Sequence, residues 1–146
     1  MGILKYHTLE KRNQMLLSLN LYDYEDLLFA IISDVLFFLK IRIVDILCLR
    51  IDGFNHAKQL CRDSVLFHSD RAQFMWRNDV GEVSKTGYIM RTNSVYDTVA
   101  MLERMYILNP TLYPQQPLFT RVFRGKTVPA IRSWFIYKYK KVIKKF

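Results

Sequence analysis

AQFMWRNDVGEVSKTGYIMR, residues 72–91, contains the pattern that decides the fold class of this chain. Residues 72–77 and 83–91 are rich in aromatic and β-branched side chains, which favour strands. Between them lies the polar run NDVGE, whose Gly81 suits the turn of a β-hairpin. The chain is therefore expected to contain an antiparallel pair of strands near its middle.

Helical patterns lie on both sides of this hairpin. Apolar residues at helical spacing predict helices over residues 8–20 and 24–39, the second capped by Asp23 and carrying acids in its first turn. Ser94 and Asp97 approximate a capping box, which predicts a further helix from Ser94. These elements predict an α+β fold: a small single domain of several helices with a short antiparallel sheet or hairpin and a basic C-terminal extension.

The remaining segments predict shorter elements. Residues 41–51 alternate with a period near two, which predicts a strand, and turn residues at 52–55 end it. Residues 56–67 predict a short helix. Residues 109–117 contain three prolines and predict a loop, and residues 118–123 predict a strand.

Length and composition indicate one folded domain. The chain has 146 residues, of which 51% are hydrophobic and 24% charged, so it is long enough to bury a single modest core. Its longest uncharged stretch, residues 105–120, has sixteen residues and three prolines. A spanning helix needs about 20 predominantly apolar residues, and charged residues interrupt the apolar segment 27–51. We therefore expect no transmembrane span.

The chain is not expected to be secreted. Its first residues lack a short apolar core followed by a small-residue cleavage site. Its two cysteines, Cys48 and Cys61, lie in apolar surroundings, which favours reduced thiols over a disulfide scaffold.

The sequence RVFRGKTVPAIRSW, residues 121–134, poses the question of nucleotide binding. Its GKT at 125–127 matches the end of a phosphate-binding loop, but Thr120 occupies the position of the first glycine and bulky β-formers follow it. We predict instead a strand, a tight turn at 124–126 and a helix capped by Thr127. No nucleotide is expected to bind.

Metal and catalytic groupings are weak in the sequence. Cys48, His56, Cys61 and His68 have the spacing C-x7-H-x4-C-x6-H, without the tight pair that is typical of structural zinc. No serine or cysteine lies in a nucleophile motif, and the acids at 23–26 suit the first turn of a helix. We expect no metal, no cofactor, no small-molecule substrate and no enzymatic activity.

The distribution of charge is the strongest functional signal. Residues 1–73 contain nine Lys/Arg and nine Asp/Glu, and residues 74–120 contain four of each. Residues 121–146 contain nine Lys/Arg and no acid, so they account for the whole net charge of +9. A block of one sign is often an interaction segment. We therefore divide the chain into a globular α+β core, 1–120, and a basic aromatic C-terminal segment, 121–146, of strand-turn-helix or extended form.

Aromatic rings interleave with the cations of this segment, and that combination suits phosphates together with unstacked bases. A tail that only improves solubility is the alternative. The expected RNA contacts are Arg121, Arg124, Lys126, Arg132, Trp134, Tyr137, Lys138, Tyr139, Lys140, Lys141, Lys144 and Lys145.

These observations predict a non-enzymatic, structural subunit of a large assembly. A ribosomal or other ribonucleoprotein component, bound to RNA such as rRNA and to neighbouring protein subunits, fits them best. The richness in Phe, Tyr, Leu and Ile favours the mitochondrion or another organelle. Two alternatives stay open: an accessory subunit of a membrane-bound complex that contacts anionic lipid, and a viral or regulatory protein that binds a host protein.

Overall fold

The computed structural model describes residues 9–47, 49–55, 60–63, 65–77, 82–108 and 116–144. Its helices are α1 (Leu9–Leu17), α2 (Tyr24–Leu39), α3 (Ile43–Leu47), α4 (Thr98–Leu108) and α5 (Arg132–Ile143). Its strands are β1 (Arg50–Asn55), β2 (Leu60–Asp63), β3 (Val65–Phe67), β4 (Arg71–Arg77), β5 (Val83–Met90), β6 (Gln116–Pro117), β7 (Thr120–Phe123) and β8 (Lys126–Pro129). The predicted α+β class of a small single domain is confirmed, and the helix predicted over 8–20 corresponds to α1.

The long helix α2 lies in the centre of the core. Every residue from Leu27 to Val35 is buried, as expected for a helix that is apolar on all sides. The predicted bounds are confirmed, and Asp23 occupies the N-cap position, although its side chain makes no capping hydrogen bond. Lys40, in the left-handed conformation with φ 53°, ends the helix. Within the described ranges, neither α2 nor another helix is long and apolar enough to cross a membrane.

A buried polar network joins α1, α2 and α4. The guanidinium of Arg12 forms an ion pair with Asp34, and both side chains are fully buried. The Asp34 carboxylate also accepts hydrogen bonds from Ser94 Oγ at 2.9 Å and from Thr98 Oγ1 at 2.7 Å. Burial raises the pKa of Asp34, and the opposing effects of Arg12 and the two hydroxyls favour its charged form. The carboxylate therefore fixes three helices relative to one another.

Removing the charge of Asp34 should strongly destabilise the fold. Asp34→Asn leaves the buried guanidinium of Arg12 without its carboxylate, so the free energy of unfolding should fall by about 3–5 kcal/mol. The same substitution at Asp45, whose ion pair with Arg42 is exposed, should cost less than about 1 kcal/mol. Urea denaturation measures both changes. Equal stability of the two variants would contradict a structural role for the buried network.

The sheet of β3, β4 and β5 contains the predicted hairpin. β4 pairs antiparallel with β5 along its length, so the hairpin is confirmed. Its connecting residues, 78–81, lie outside the described residues. Phe74 and Ile89 are buried and attach the sheet to the core. β5 also lies close to α2, since a Cβ at Gly87 would be 2.9 Å from side-chain atoms of Leu39.

The strand predicted over residues 41–51 is wrong for most of its length, because α3 occupies its centre and β1 begins only at its end. Ile43, Ile46 and Leu49 are buried, and their spacing of three is helical. The charged side chain of Asp45, which interrupts the alternation in the sequence, lies outside this buried row. Contacts with the core therefore select a helical turn over the strand.

The predictions for residues 52–67 are also corrected. Residues 52–55 belong to β1, and the register of its pairing with β2 shifts between Asp52 and Phe54. The glycine between them thus lies at an irregularity of the ladder and not in a turn. β2 and β3 occupy most of the predicted short helix, because pairing with β1 and β4 overrides a weak local helical pattern. β6, at the end of the predicted loop, pairs with the other edge of β1.

Helix α4 begins at Thr98, four residues after the predicted start. Asp97, and not Ser94, provides the cap: its Oδ1 accepts a hydrogen bond of 3.0 Å from the backbone N–H of Ala100. Its Oδ2 lies 2.9 Å from Arg91 Nη1. Desolvation raises the pKa of Asp97, but these hydrogen bonds outweigh it, so the pKa lies below the ordinary value of 3.8. Ser94 is instead bonded to the buried carboxylate.

Asp97→Ala should lower the free energy of unfolding by about 1 kcal/mol at pH 7, the usual contribution of a cap. Asp97→Asn keeps the hydrogen-bond acceptor for Ala100, so its free energy of unfolding should fall by less. Because the pKa is lowered in the folded state, the charge of Asp97 stabilises the protein above pH 3.8, and this contribution is lost as the pH falls further. Denaturation at pH 7 and at pH 3 measures the free energy of unfolding of wild type and of Asp97→Asn. If wild type were favoured more strongly at pH 3 than at pH 7, the charge of Asp97 would not be stabilising.

Candidate nucleic-acid interface

The C-terminal segment begins with a second hairpin. β7 pairs antiparallel with β8, and Phe123 lies opposite Lys126. The two turn residues, Arg124 and Gly125, have positive φ values of 52° and 78°, which glycine adopts at little cost. The predicted strand and tight turn are confirmed. The helix capped by Thr127 is wrong, because Thr127 lies in β8, and the GKT residues enter a strand where a phosphate-binding loop would enter a helix.

One side of helix α5 packs into the core. Phe135 is fully buried and stacks on Phe29 of α2, with ring centroids 4.9 Å apart. Trp134, Tyr139 and Val142 are also buried on this side. Burial raises the pKa of Tyr139. These contacts make α5 part of the globular fold, whereas the sequence left an extended tail as a possibility.

Two acids in the first turn of α2 hold α5 and β7 in place. The carboxylate of Glu25 accepts a hydrogen bond of 3.3 Å from Trp134 Nε1, and its second oxygen lies 3.7 Å from Arg121 Nη1. Asp26 forms an ion pair with Lys138. Two of the nine C-terminal cations are therefore balanced by acids from the core.

The opposite side of α5 is exposed and basic. Successive residues of an α-helix are rotated by about 100° around its axis. With this rotation, the exposed positions of α5 cover about half of the helix circumference. We call this surface the basic face of α5, and its members are Arg132, Tyr137, Lys140, Lys141 and Lys144. Tyr137 is 67% exposed and lies among the cations. The basic face thus offers positive charge together with one accessible ring.

The tip of the β7–β8 hairpin is a second exposed cationic group. The side chains of Arg124 and Lys126 are exposed. Phe123, which is 47% exposed, has the guanidinium of Arg124 at 5.1 Å and that of Arg121 at 5.3 Å from its ring centre. The hairpin tip therefore combines cations with a half-exposed aromatic ring.

The structure divides the predicted RNA contacts into four groups. Trp134 and Tyr139 are buried, only 8% and 7% exposed. Arg121 and Lys138 are paired with acids of α2. Lys145 lies outside the described residues. The exposed members are Arg124, Lys126, Arg132, Tyr137, Lys140, Lys141 and Lys144.

A groove of about 370 Å³ lies between β7, α5 and the first turn of α2. Tyr137 and Lys141 of the basic face border it, together with Arg121 and Glu25. Sequence reasoning assigned Glu25 only to a helix terminus. An acid with no sequence neighbour in the basic segment gives no local sign that it meets that segment in the fold.

The zinc grouping is only partly described. Nε2 of His68 is 2.8 Å from Oε1 of Gln73. Cys48 and His56 lie outside the described residues, as does the side chain of Cys61, so the absence of zinc stays a prediction. Among the side chains that are described, no three His, Cys, Asp or Glu residues come together to hold a metal ion.

Comparison with known proteins assigns no relative. No family model, curated protein or solved structure matches the chain.

Replacing Phe135 tests whether α5 belongs to the core. Phe135→Ala removes a fully buried ring and should lower the free energy of unfolding by about 3–5 kcal/mol. Tyr137→Ala, two residues away on the exposed side, should change it by no more than about 0.5 kcal/mol. Urea denaturation distinguishes the two. If both variants were as stable as wild type, α5 would be a detached tail.

Proposed function

We propose that this protein is a non-enzymatic, RNA-binding subunit of a ribonucleoprotein assembly, and that the basic face of α5 binds the phosphates of the RNA. The observation that carries the proposal is the division of α5 into a buried aromatic side and an exposed side bearing only cations among its charged residues. Phosphate contacts supply most of the affinity of proteins for nucleic acids without sequence preference.

The exposed cations support this proposal more strongly than the net charge of the sequence does. Six exposed cations lie on the basic face and at the hairpin tip, and no described acid forms an ion pair with them. They are Arg124, Lys126, Arg132, Lys140, Lys141 and Lys144. Their positive charge is therefore available to phosphates.

The rigid attachment of these cations also supports binding. Arg132 and Lys144 lie about 18 Å apart along the helix, from a rise of about 1.5 Å per residue. The helix is already ordered by Phe135 and by the acids of α2, so binding does not have to order this segment. A fixed row of charges suits a backbone of regularly spaced phosphates.

Exposed apolar side chains support contact with neighbouring proteins of the assembly. Tyr22, Leu108 and Val122 are 87%, 51% and 61% exposed and surround a second groove of about 340 Å³. An exposed apolar cluster of this kind is often a protein contact. The proposed location in a mitochondrion or another organelle rests on amino-acid composition alone.

Salt dependence tests the phosphate contacts. If the six exposed cations each contact one phosphate of a labelled 12-mer of uridine, the slope of log K against log[salt] should be about −4, from about −0.7 per contact. Replacing Lys140, Lys141 and Lys144 with Ala should reduce the slope to about −2. Fluorescence anisotropy over a range of KCl concentrations measures both slopes.

A second triple variant is the matched control. Replacing Lys11, Arg42 and Lys85, which are exposed and lie outside the C-terminal segment, with Ala removes the same charge and should leave the slope near −4. Equal slopes for the two triple variants would contradict a specific role for the basic face. Flotation with anionic liposomes, without any RNA binding, would favour the membrane-surface alternative instead.

A further inference from the structure

We propose that the groove between β7, α5 and the first turn of α2 binds one unpaired RNA base and prefers guanine. This inference rests on the proposed function and adds a base contact to the phosphate contacts. We call the site the base groove, and its lining includes Glu25, Arg121, Trp134, Tyr137 and Lys141. Its volume of about 370 Å³ lies at the lower end of the usual range for ligand sites, about 300–1,000 Å³, which suits a single base.

Glu25 is the feature that a purely electrostatic surface does not explain. A carboxylate beside a phosphate-binding face weakens the attraction for RNA, yet the Glu25 side chain is 37% exposed within the groove. Its oxygens contact Trp134 Nε1 at 3.3 Å and face Arg121 at 3.7 Å, which leaves lone pairs for further donors. The two neighbours hold the carboxylate in one orientation.

The chemistry of a carboxylate selects the base. An ionised carboxylate only accepts hydrogen bonds, and it binds best to two parallel N–H donors. Guanine presents such a pair on its Watson–Crick edge, the ring N1–H and the exocyclic amino group. Adenine and cytosine each place a ring acceptor beside their amino group, and uracil places its one N–H between two carbonyls. Glu25 therefore favours guanine over the other three bases.

Tyr137 and two cations complete the site. The ring of Tyr137 is 67% exposed at the border of the groove, so a base can stack on it. Arg121, which is paired with Glu25, and Lys141 also line the groove. Lys141 belongs to the basic face and supplies a phosphate contact beside the bound nucleotide. Unpaired bases that are held by an aromatic ring and read along their Watson–Crick edge are the usual targets of sequence-specific RNA binding.

The experiment measures base preference with the full chain. Labelled single-stranded 12-mers of uridine alone, of alternating uridine and guanosine, and of alternating uridine and adenosine are titrated at one salt concentration. We expect the guanosine oligonucleotide to bind about tenfold more tightly than the other two. Inosine in place of guanosine removes the amino group but keeps the stacking surface, and should lose most of this preference.

Substitutions assign the preference to the groove. Glu25→Gln should abolish the preference for guanosine without weakening the binding of oligouridine, because the change also removes a negative charge. Glu103→Gln is the matched control, since Glu103 also lies 3.7 Å from an arginine but on α4, and it should keep the preference. Tyr137→Ala should weaken all the oligonucleotides by about tenfold, and Tyr137→Phe should not.

Three outcomes would overturn the inference, and they are distinguishable. Salt-dependent binding of wild type without any preference for guanosine would contradict base recognition by the groove but would agree with the proposed function. A preference that survives either Glu25→Gln or inosine would mean that Glu25 does not read the guanine edge as proposed. Absence of binding to every oligonucleotide would overturn the proposed function and the base groove together. Should Glu25→Gln fail to fold, an inosine oligonucleotide that binds wild type as tightly as the guanosine one would still contradict the inference.

Discussion

Docking of α5 on α2 is the interaction on which the proposed RNA-binding surface depends. The stacking of Phe135 on Phe29 buries one side of α5, and the ion pair of Lys138 with Asp26 fixes its orientation. The cations on the opposite side are thereby held on one rigid surface. The same residues in an unfolded tail would carry equal charge but would lose conformational entropy on binding RNA.

The first turn of α2 has two separate effects on this surface. Its acids favour the start of the helix through the helix dipole, and they also neutralise Arg121 and Lys138. Neutralisation selects which cations remain available, so the exposed positive charge is smaller than the sequence total and is concentrated on α5 and the hairpin tip. Glu25, the more exposed of the two acids, borders the proposed base groove.

Sequence patterns predicted the elements with strong local signals. The bounds of α2, the β4–β5 hairpin and the tight turn at Arg124 and Gly125 follow from periodicity, composition and turn chemistry. Sequence patterns could not show which C-terminal aromatic residues are buried. Trp134 lies on the side of α5 that meets the core and Tyr137 on the opposite side, and only the fold determines which side is buried. Sequence patterns also could not predict the contacts of Glu25 with Arg121 and Trp134, because both residues lie 96 or more positions away along the chain.

Lysine footprinting on the wild-type protein tests the central claim most directly. Acetylation by a small amine-reactive reagent, followed by mass spectrometry with and without a 12-mer of uridine, compares the exposure of individual side chains. We expect Lys140, Lys141 and Lys144 to be protected severalfold by RNA, while Lys11 and Lys85 react as before. Uniform protection of all lysines, or protection confined to residues outside the basic face of α5, would contradict the account.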